Sequence, residues 1–305
     1  VSTPRPTHLD HPGRAVWLRR DAEQVSGALP PLLAEAERLA RTVSMGLHGR
    51  KRAGPGEDFW QYRHAMPGDV LDQVDWRRSA RSDGLFIREK EWQAAQTVAL
   101  WVDPSRAMDY RSADAPRSKA ERARLIALAL AILLNRSGER VSLLGVDPPL
   151  PPRSGPAQLS RMAMALTAQD DDRPDYGRPP DGPMPRGGRA VFLSDFMGAR
   201  DELFAGLASA AQRGVSGCFV QILDESEETF PFDGRTVFRS VGGSVRFETQ
   251  RARALRDAYQ ARLAQRRAEL QDVARRTGWQ CLFHRTSESP RKALLWLYMA
   301  LGGQD

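Results

Sequence analysis

From residue 97 onward the chain alternates short apolar runs with amphipathic stretches, and no other feature restricts its fold as strongly. The runs are TVALWVD (97–103), RVSLLGVD (140–147), RAVFLSDF (189–196) and GCFVQILD (217–224). Near-continuous apolar runs of this length are what strands buried on both faces require. Between them lie helical patterns. Ser118 and Glu121 form a capping box, S-x-x-E, that opens a helix running to about Asn135 and stopping at Gly138. Leu159, Met162 and Leu166 mark a second helix, and residues 201–213 a third, closed by Gly214. A last strand is read at QCLFH (280–284). A last helix comes after it, with Ser289 as N-cap, Pro290 in the first turn and Gly302 at the end. Strand and helix in alternation predict an α/β fold, a mostly parallel sheet with helices on both faces.

The alternation has interruptions. RTVFRSV and SVRFETQ flank Gly242-Gly243 and read as a C-terminal β-hairpin insertion. A long helix at about 250–276 comes next, with Leu255, Tyr259, Leu263, Leu270 and Val273 on one stripe. DPPLPPRSGP (147–156) succeeds a strand and is expected at the carboxyl edge of the sheet. DDRPDYGRPPDGPMPRGG (171–188) succeeds a helix and is expected at the opposite edge; it is long for a connection in a compact domain. Upstream, residues 1–15 read as a loose arm, 30–45 as a helix, 46–84 as irregular and 85–92 as a strand. The expected organisation is therefore a helical and irregular N-terminal extension over 1–95 and the α/β domain over 96–305.

Charge is informative only once it is located. The chain of 305 residues carries 45 basic and 38 acidic side chains, a net +7. Lysine occurs only at 51, 90, 119 and 292, so 41 of the bases are arginine. The last 55 residues hold 11 bases and 5 acids, so almost all the excess lies there, chiefly on the 250–276 helix. A solvated amphipathic face explains such a helix; nucleic-acid binding through its arginines is the alternative. Cys218 and Cys281 cannot make a disulfide framework, lie in apolar runs and fit a reducing compartment. The longest apolar run, LIALALAILL, spans roughly 15 Å as helix, about half a bilayer core. With no signal-peptide pattern, the expected location is cytoplasmic, without a membrane span.

In an open α/β sheet, ligands bind outside the carboxyl ends of the strands. Asp103, Asp195 and Asp224 end three of the strands, with Asp147 a fourth candidate. Asp103 and Ser105 can point at one cation from a single turn, and a carboxylate from a neighbouring strand can complete the shell. Hard oxygen donors of this kind suit Mg²⁺ or Mn²⁺. These residues resemble the von Willebrand factor A fold, whose metal-ion-dependent adhesion site begins D-x-S-x-S after the first strand. The resemblance implies a metal site at Asp103, Ser105 and Asp195. It is degenerate: Ala107 replaces the second serine, and only Ser154 stands in the loop from which a threonine would come. The competing reading is that Asp103 and Asp195 cap helices and organise loops.

A second resemblance lies upstream, in GPGEDFWQYRHAMPGDVLDQVDWRRSARSDGLFIREKE (54–91). Glu57, Phe59, Arg63, Pro67, Gly68, Asp69, Asp75, Trp76, Ser79, Ala80, Arg81, Arg88 and Glu89 match the hallmark of the bacterial "domain of unknown function 58" family. Asp58 is an insertion, and Ala65 and Asp72 depart from it. Two readings of the hallmark compete. One is a salt-bridged brace with Trp76 buried. The other is a docking surface formed by Arg63, Gly68, Asp69, Asp75, Trp76, Ser79, Arg81 and Arg88.

The family resemblance implies a non-enzymatic interaction module, an adaptor or co-chaperone working with a MoxR-type AAA+ ATPase and an unknown client. Enzyme signals are weak: G-x-S-x-G, G-x-x-x-x-G-K-[ST] and H-E-x-x-H are all missing from the sequence. A divalent-metal-dependent hydrolase using Asp103, Asp195 and Asp224 is the enzymatic alternative.

Overall fold

The computed structural model describes residues 31–47, 59–66, 74–81, 84–90, 95–168, 172–180, 184, 187–239 and 246–302. In chain order its helices are α1 (Pro31–Leu47), α2 (Trp76–Ser79), α3 (Lys119–Arg136), α4 (Pro156–Thr167), α5 (Arg200–Gln212), α6 (Glu225–Thr229), α7 (Arg256–Thr277) and α8 (Pro290–Gly302). Its strands are β1 (Phe59–His64), β2 (Phe86–Lys90), β3 (Thr97–Val102), β4 (Arg140–Leu144), β5 (Leu150–Arg153), β6 (Arg189–Ser194), β7 (Ser216–Leu223), β8 (Thr236–Arg239), β9 (Arg246–Thr249) and β10 (Gln280–Arg285).

Six strands form the central sheet in the order β10-β7-β6-β3-β4-β5. All neighbours are parallel except β4 and β5. Chain order runs outward from β3 to one edge and then from β6 to the other, the doubly wound pattern with its switch point between β3 and β6. The expected α/β architecture is present, and the hairpin insertion is β8 paired antiparallel with β9.

Alternation along the strands divides the interior in two. Val98, Leu100 and Val102 of β3 point to one face, with Val191, Leu193, Val220 and Ile222, and pack against α1, α3, α4 and α8. Ala99 and Trp101 point to the other face, with Phe192 and Phe219, and pack against α5, α7 and Trp279. Helix α1 belongs to the first of these cores: Leu33, Ala36, Ala40 and Val43 are buried in it. Among the described residues, no helix is long and apolar enough to cross a membrane.

Three segments depart from the sequence expectation. Residues 59–64, read as irregular, form β1 and pair with β2. Residues 150–153, read as part of a loop at the carboxyl edge, form β5, antiparallel to β4. That one reversal redirects the chain. Strand β5 carries it to the amino edge, where Gly155 N donates to Asn135 Oδ1 at the end of α3. Helix α4 then runs back and ends near the carboxyl edge. Residues 172–180 therefore lie at the carboxyl edge, not the opposite one: Arg106 N and Ala107 N donate to the carbonyls of Pro174 and Asp175. The sequence hid β5 because LPPR has two prolines, which a strand accepts only at a sheet edge. The loose arm expected at 1–15 lies outside the described residues.

Candidate functional site at the carboxyl edge of the sheet

Strands β3, β6 and β7 are neighbours, so Asp103, Asp195 and Asp224 come to one edge of the sheet; all three are buried. Their carboxylates are taken up by protein partners. Asp103 accepts from Ser105 N at 2.8 Å and from Ser194 Oγ at 2.6 Å. Burial, and then the charge of Asp195, raise its pKa above the ordinary carboxylate value. Asp195 Oδ1 accepts from Met197 N at 3.0 Å. Asp224 is the N-cap of α6, accepting from Ser226 N and Oγ, and it also accepts from Ser112 N at 3.1 Å. Burial works to raise the Asp224 pKa, but the hydrogen bonds from Ser112 and Ser226 outweigh it and hold the carboxylate charged. Asp103 and Asp195 thus organise loops; only Asp224 caps a helix. Asp147 is exposed on the loop after β4 and does not join them.

The centre of the edge is a lysine. Lys119 Nζ lies 2.8 Å from Asp195 Oδ2 and 2.7 Å from Glu227 Oε1, with its side chain 1% exposed. It also sits 5.8 Å from the centroid of the Tyr110 ring. Burial would lower the Lys119 pKa, but Asp195 and Glu227 overcome this and raise it, so the ammonium stays charged. Glu227 is fixed by the α6 capping box, where its Oε2 accepts from Asp224 N at 2.8 Å. The hydrogen bonds therefore run continuously from Asp195 through Lys119 and Glu227 to Asp224.

The donor set at Asp103, Ser105 and Asp195 can be tested for a divalent ion. Ser105 Oγ is buried without a hydrogen-bond partner, as an ion ligand would be. Two observations oppose it. Asp195 faces the Lys119 ammonium, which repels a second cation. Gly177 packs directly on Asp103: a Cβ added there would stand 2.0 Å from Asp103 Oδ1, so the approach to this carboxylate is already filled by backbone. Ser154, the weak fourth ligand, succeeds β5 at the amino edge, on the wrong side of the sheet because β5 reverses the chain. Ala107 is buried beside the turn and contributes no oxygen. In this arrangement the residues do not fit a divalent ion.

Above the edge lies a groove of about 690 Å³ between the β8–β9 hairpin, α7 and the loop at Tyr176. Its floor includes Asp195, Glu227 and Tyr110, and its walls are Phe230, Phe232, Phe238, Phe247 and Tyr259. Phe230, Phe232, Phe238 and Tyr259 form one ring cluster, with Phe230 centred 5.0 Å from Tyr259 and 5.2 Å from Phe232. Phe230 holds a left-handed φ of 49°, rare for a bulky residue, at the end of α6. Arg239, Arg262 and Arg266 also line the groove. Arg266 Nη2 donates to Gly198 O, while its Nη1 is buried without a partner. Among the described residues Arg239 and Arg262 make no ion pair. Other arginines of this region are engaged: Arg256 donates to Phe230 O, Arg267 pairs with Glu228, and Arg275 and Arg276 pair with Asp272.

The hallmark residues gather elsewhere. Arg63 and Arg88 lie on the paired strands β1 and β2. Asp75 caps α2, accepting from Arg78 N, and Ser79 Oγ donates to Asp75 O and accepts from Phe86 N. Gly68 and Asp69 lie outside the described residues, and Arg81 is exposed. Trp76 is 58% exposed, so the expectation that it is buried in a brace is corrected: a one-turn helix on a two-stranded hairpin buries none of its residues.

Lys119, Glu227 and Gly177 were not legible as site residues, although Lys119 carried a signal. It is one of only four lysines in an arginine-rich chain. It also stands in the first turn of an apolar helix, where the helix dipole disfavours a cation.

Comparison with known proteins gives three kinds of likeness. The family model "Protein of unknown function DUF58" matches residues 61–269. Two curated relatives are "Uncharacterized protein Rv1480" of Mycobacterium tuberculosis and "Uncharacterized protein Mb1516" of Mycobacterium bovis. Each is 27% identical over 275 residues, covering 84% of this chain and 86% of the relative. Among solved structures, BatB of Bacteroides thetaiotaomicron aligns over 68% of this chain and 99% of its own, at 14% identity and a TM-score of 0.42. The SpRpn10 VWA domain aligns over 66% and 94%, at 9% identity and a TM-score of 0.34. The strand order and the aspartate-ended strands, not these distant superpositions, carry the von Willebrand factor A-like assignment of the fold.

Proposed function

This chain belongs to the DUF58 family, and from that premise we propose that it is a non-enzymatic protein-interaction module. Its finer role in this reading is that of an adaptor or co-chaperone, working with a MoxR-type AAA+ ATPase to assemble or mature another protein complex. The observation that carries the interaction reading is the groove at the carboxyl edge. It presents ring faces and guanidinium groups, whereas the nearby carboxylates are held by structural hydrogen bonds rather than poised beside a nucleophile. Aromatic side chains and arginine are the residues that dominate protein interfaces. Lys119 offsets one of the two floor carboxylates, and the three arginines Arg239, Arg262 and Arg266 outweigh the other and leave the groove cationic, which favours a partner segment that sets an acidic residue beside an apolar anchor. The exposed Trp76 gives the hallmark hairpin a docking character as well.

The test is a calorimetric titration of the chain with the MoxR-type ATPase of the same genome. Micromolar binding is expected, with a loss of about tenfold or more in Arg262→Glu, since charge reversal at an interface arginine removes attraction and adds repulsion. Absence of micromolar binding by the unsubstituted chain sinks the adaptor reading.

A further inference from the structure

The carboxyl edge of this sheet is where the fold's metal-ion-dependent adhesion sites hold a divalent ion. Here the chain supplies a cation of its own. We propose that the Lys119 ammonium is a tethered replacement for that ion, so that the edge is permanently loaded and binds its partners without metal.

Three geometric facts carry this. The first is position. Lys119 comes from the first turn of α3, immediately after the β3–α3 connection, and reaches across to Asp195 at the end of β6. It therefore bridges the switch point between β3 and β6, where a doubly wound sheet binds ligands. The second is saturation. The ammonium has three donors; two are used at 2.8 and 2.7 Å by Asp195 and Glu227, and the Tyr110 ring face lies near. A side chain 1% exposed with two short carboxylate partners is a built feature, not a surface lysine that happens to fall nearby. The third is closure. Gly177 fills the approach to Asp103, and only a residue without Cβ can stand there. The segment carrying it is held by the bonds from Arg106 N and Ala107 N to Pro174 O and Asp175 O. An ion would have to displace both the lysine and this backbone cover.

The substitution changes what the edge can do. A divalent ion offers an open coordination position to a ligand carboxylate. A buried ammonium with both carboxylates in place offers none, so recognition passes to the rings and arginines above it.

The experiment uses the full chain and Mn²⁺ or Mg²⁺ alone as the probe. Isothermal titration and thermal unfolding are run at millimolar ion for the unsubstituted chain, Asp103→Asn, Asp195→Asn and Lys119→Ala. The expected result is no saturable heat and no shift in Tm for the unsubstituted chain. In Lys119→Ala, the ion should raise Tm by several degrees, because it now answers the unpaired Asp195 and Glu227. Saturable binding by the unsubstituted chain that is lost in Asp103→Asn overturns the proposal. Binding that survives Asp103→Asn and Asp195→Asn lies away from the edge and upholds it. If Lys119→Ala does not fold, the unsubstituted chain and the two Asp→Asn variants still decide the matter. None of these readouts depends on the ATPase, so this inference can fail while the adaptor reading stands, and the reverse.

Discussion

Helices α3 and α7 are comparably long, cover opposite faces of one sheet and could hardly be built more differently. Helix α3 buries 14 of its 18 residues, from Lys119 to Leu134, whereas α7 buries only Leu263, Leu270 and Ala274 among 22. The reason is the number of layers. Helix α3 lies between the sheet and α1, α4 and α8, so its central stretch, residues 125–134, must be apolar all round. Helix α7 is an outer helix, packed on the sheet and on α5 along one narrow stripe, and much of its remaining surface is solvated. Buried positive charge is costly on α3, and the two cations buried there are both held by acceptors: Lys119 pairs with Asp195 and Glu227, and Arg122 donates to the carbonyls of Thr286 and Glu288. On α7 arginine is tolerated almost everywhere. The excess of basic residues in the last 55 positions is thus largely a consequence of which helix faces water.

The contrast predicts where substitution hurts, and the largest effect is at Lys119. Removing one partner of a buried ion pair leaves the others uncompensated and costs about 3–5 kcal/mol. Lys119→Met should lose that much in urea unfolding, and adding Asp195→Asn should recover part of it by removing a stranded charge. A loss under about 1 kcal/mol, the level of a surface pair, would break the comparison. Ile126, fully buried on α3, comes next: Ile126→Ala should cost about 2–5 kcal/mol.

A smaller effect is written in pH. His284 on β10 is buried on the α3 side, and burial, then the charge of Arg122, lower its pKa from 6.5 to about 4. The folded protein keeps the ring neutral while the unfolded chain protonates it. Between about pH 6.5 and 4 the unfolded state therefore binds more protons, and stability falls as pH falls through that window. The loss is about 3 kcal/mol at most, from 1.36 kcal/mol per pKa unit. Asp103, raised rather than lowered, works in the opposite direction. The difference between the unsubstituted chain and His284→Leu isolates the histidine. Equal slopes in both would show that folding leaves the protonation of the ring unchanged.

The same contrast explains what could be read from sequence. Strands β3, β6 and β7 were legible because burial on both faces forces unbroken apolar runs ending in aspartate. The Ser118–Glu121 capping box was legible because it is a purely local bond pattern, and both of its hydrogen bonds form. Strand β5 was not, because an edge strand needs pairing on only one side and tolerates prolines. Missing it placed residues 172–180 at the wrong edge and left Gly177 unconnected to Asp103. The aspartates of the site were legible as residues but not in their role. That role is decided by Lys119 and Glu227; Lys119 lies 76 residues from Asp195 and 108 from Glu227 in sequence. Residues that distant share no spacing to read.

The least sensitive region should be the outer face of α7. Arg275 and Arg276 both pair with Asp272, but their side chains are 77% and 78% exposed. Exposed pairs of this kind contribute little because water and salt screen them. Arg275→Ala with Arg276→Ala should therefore shift unfolding by no more than about 0.5 kcal/mol. The same double variant separates a solvated face from a polyanion-binding one. A helix that neutralises phosphates would bind duplex DNA at low salt, and deleting two contacts would flatten its salt dependence by roughly two units of slope. The geometry argues for the first outcome. Arg256, Arg266 and Arg267 turn inward to Phe230, Gly198, Gln221 and Glu228, so the helix directs much of its charge at its own fold rather than along one continuous stripe.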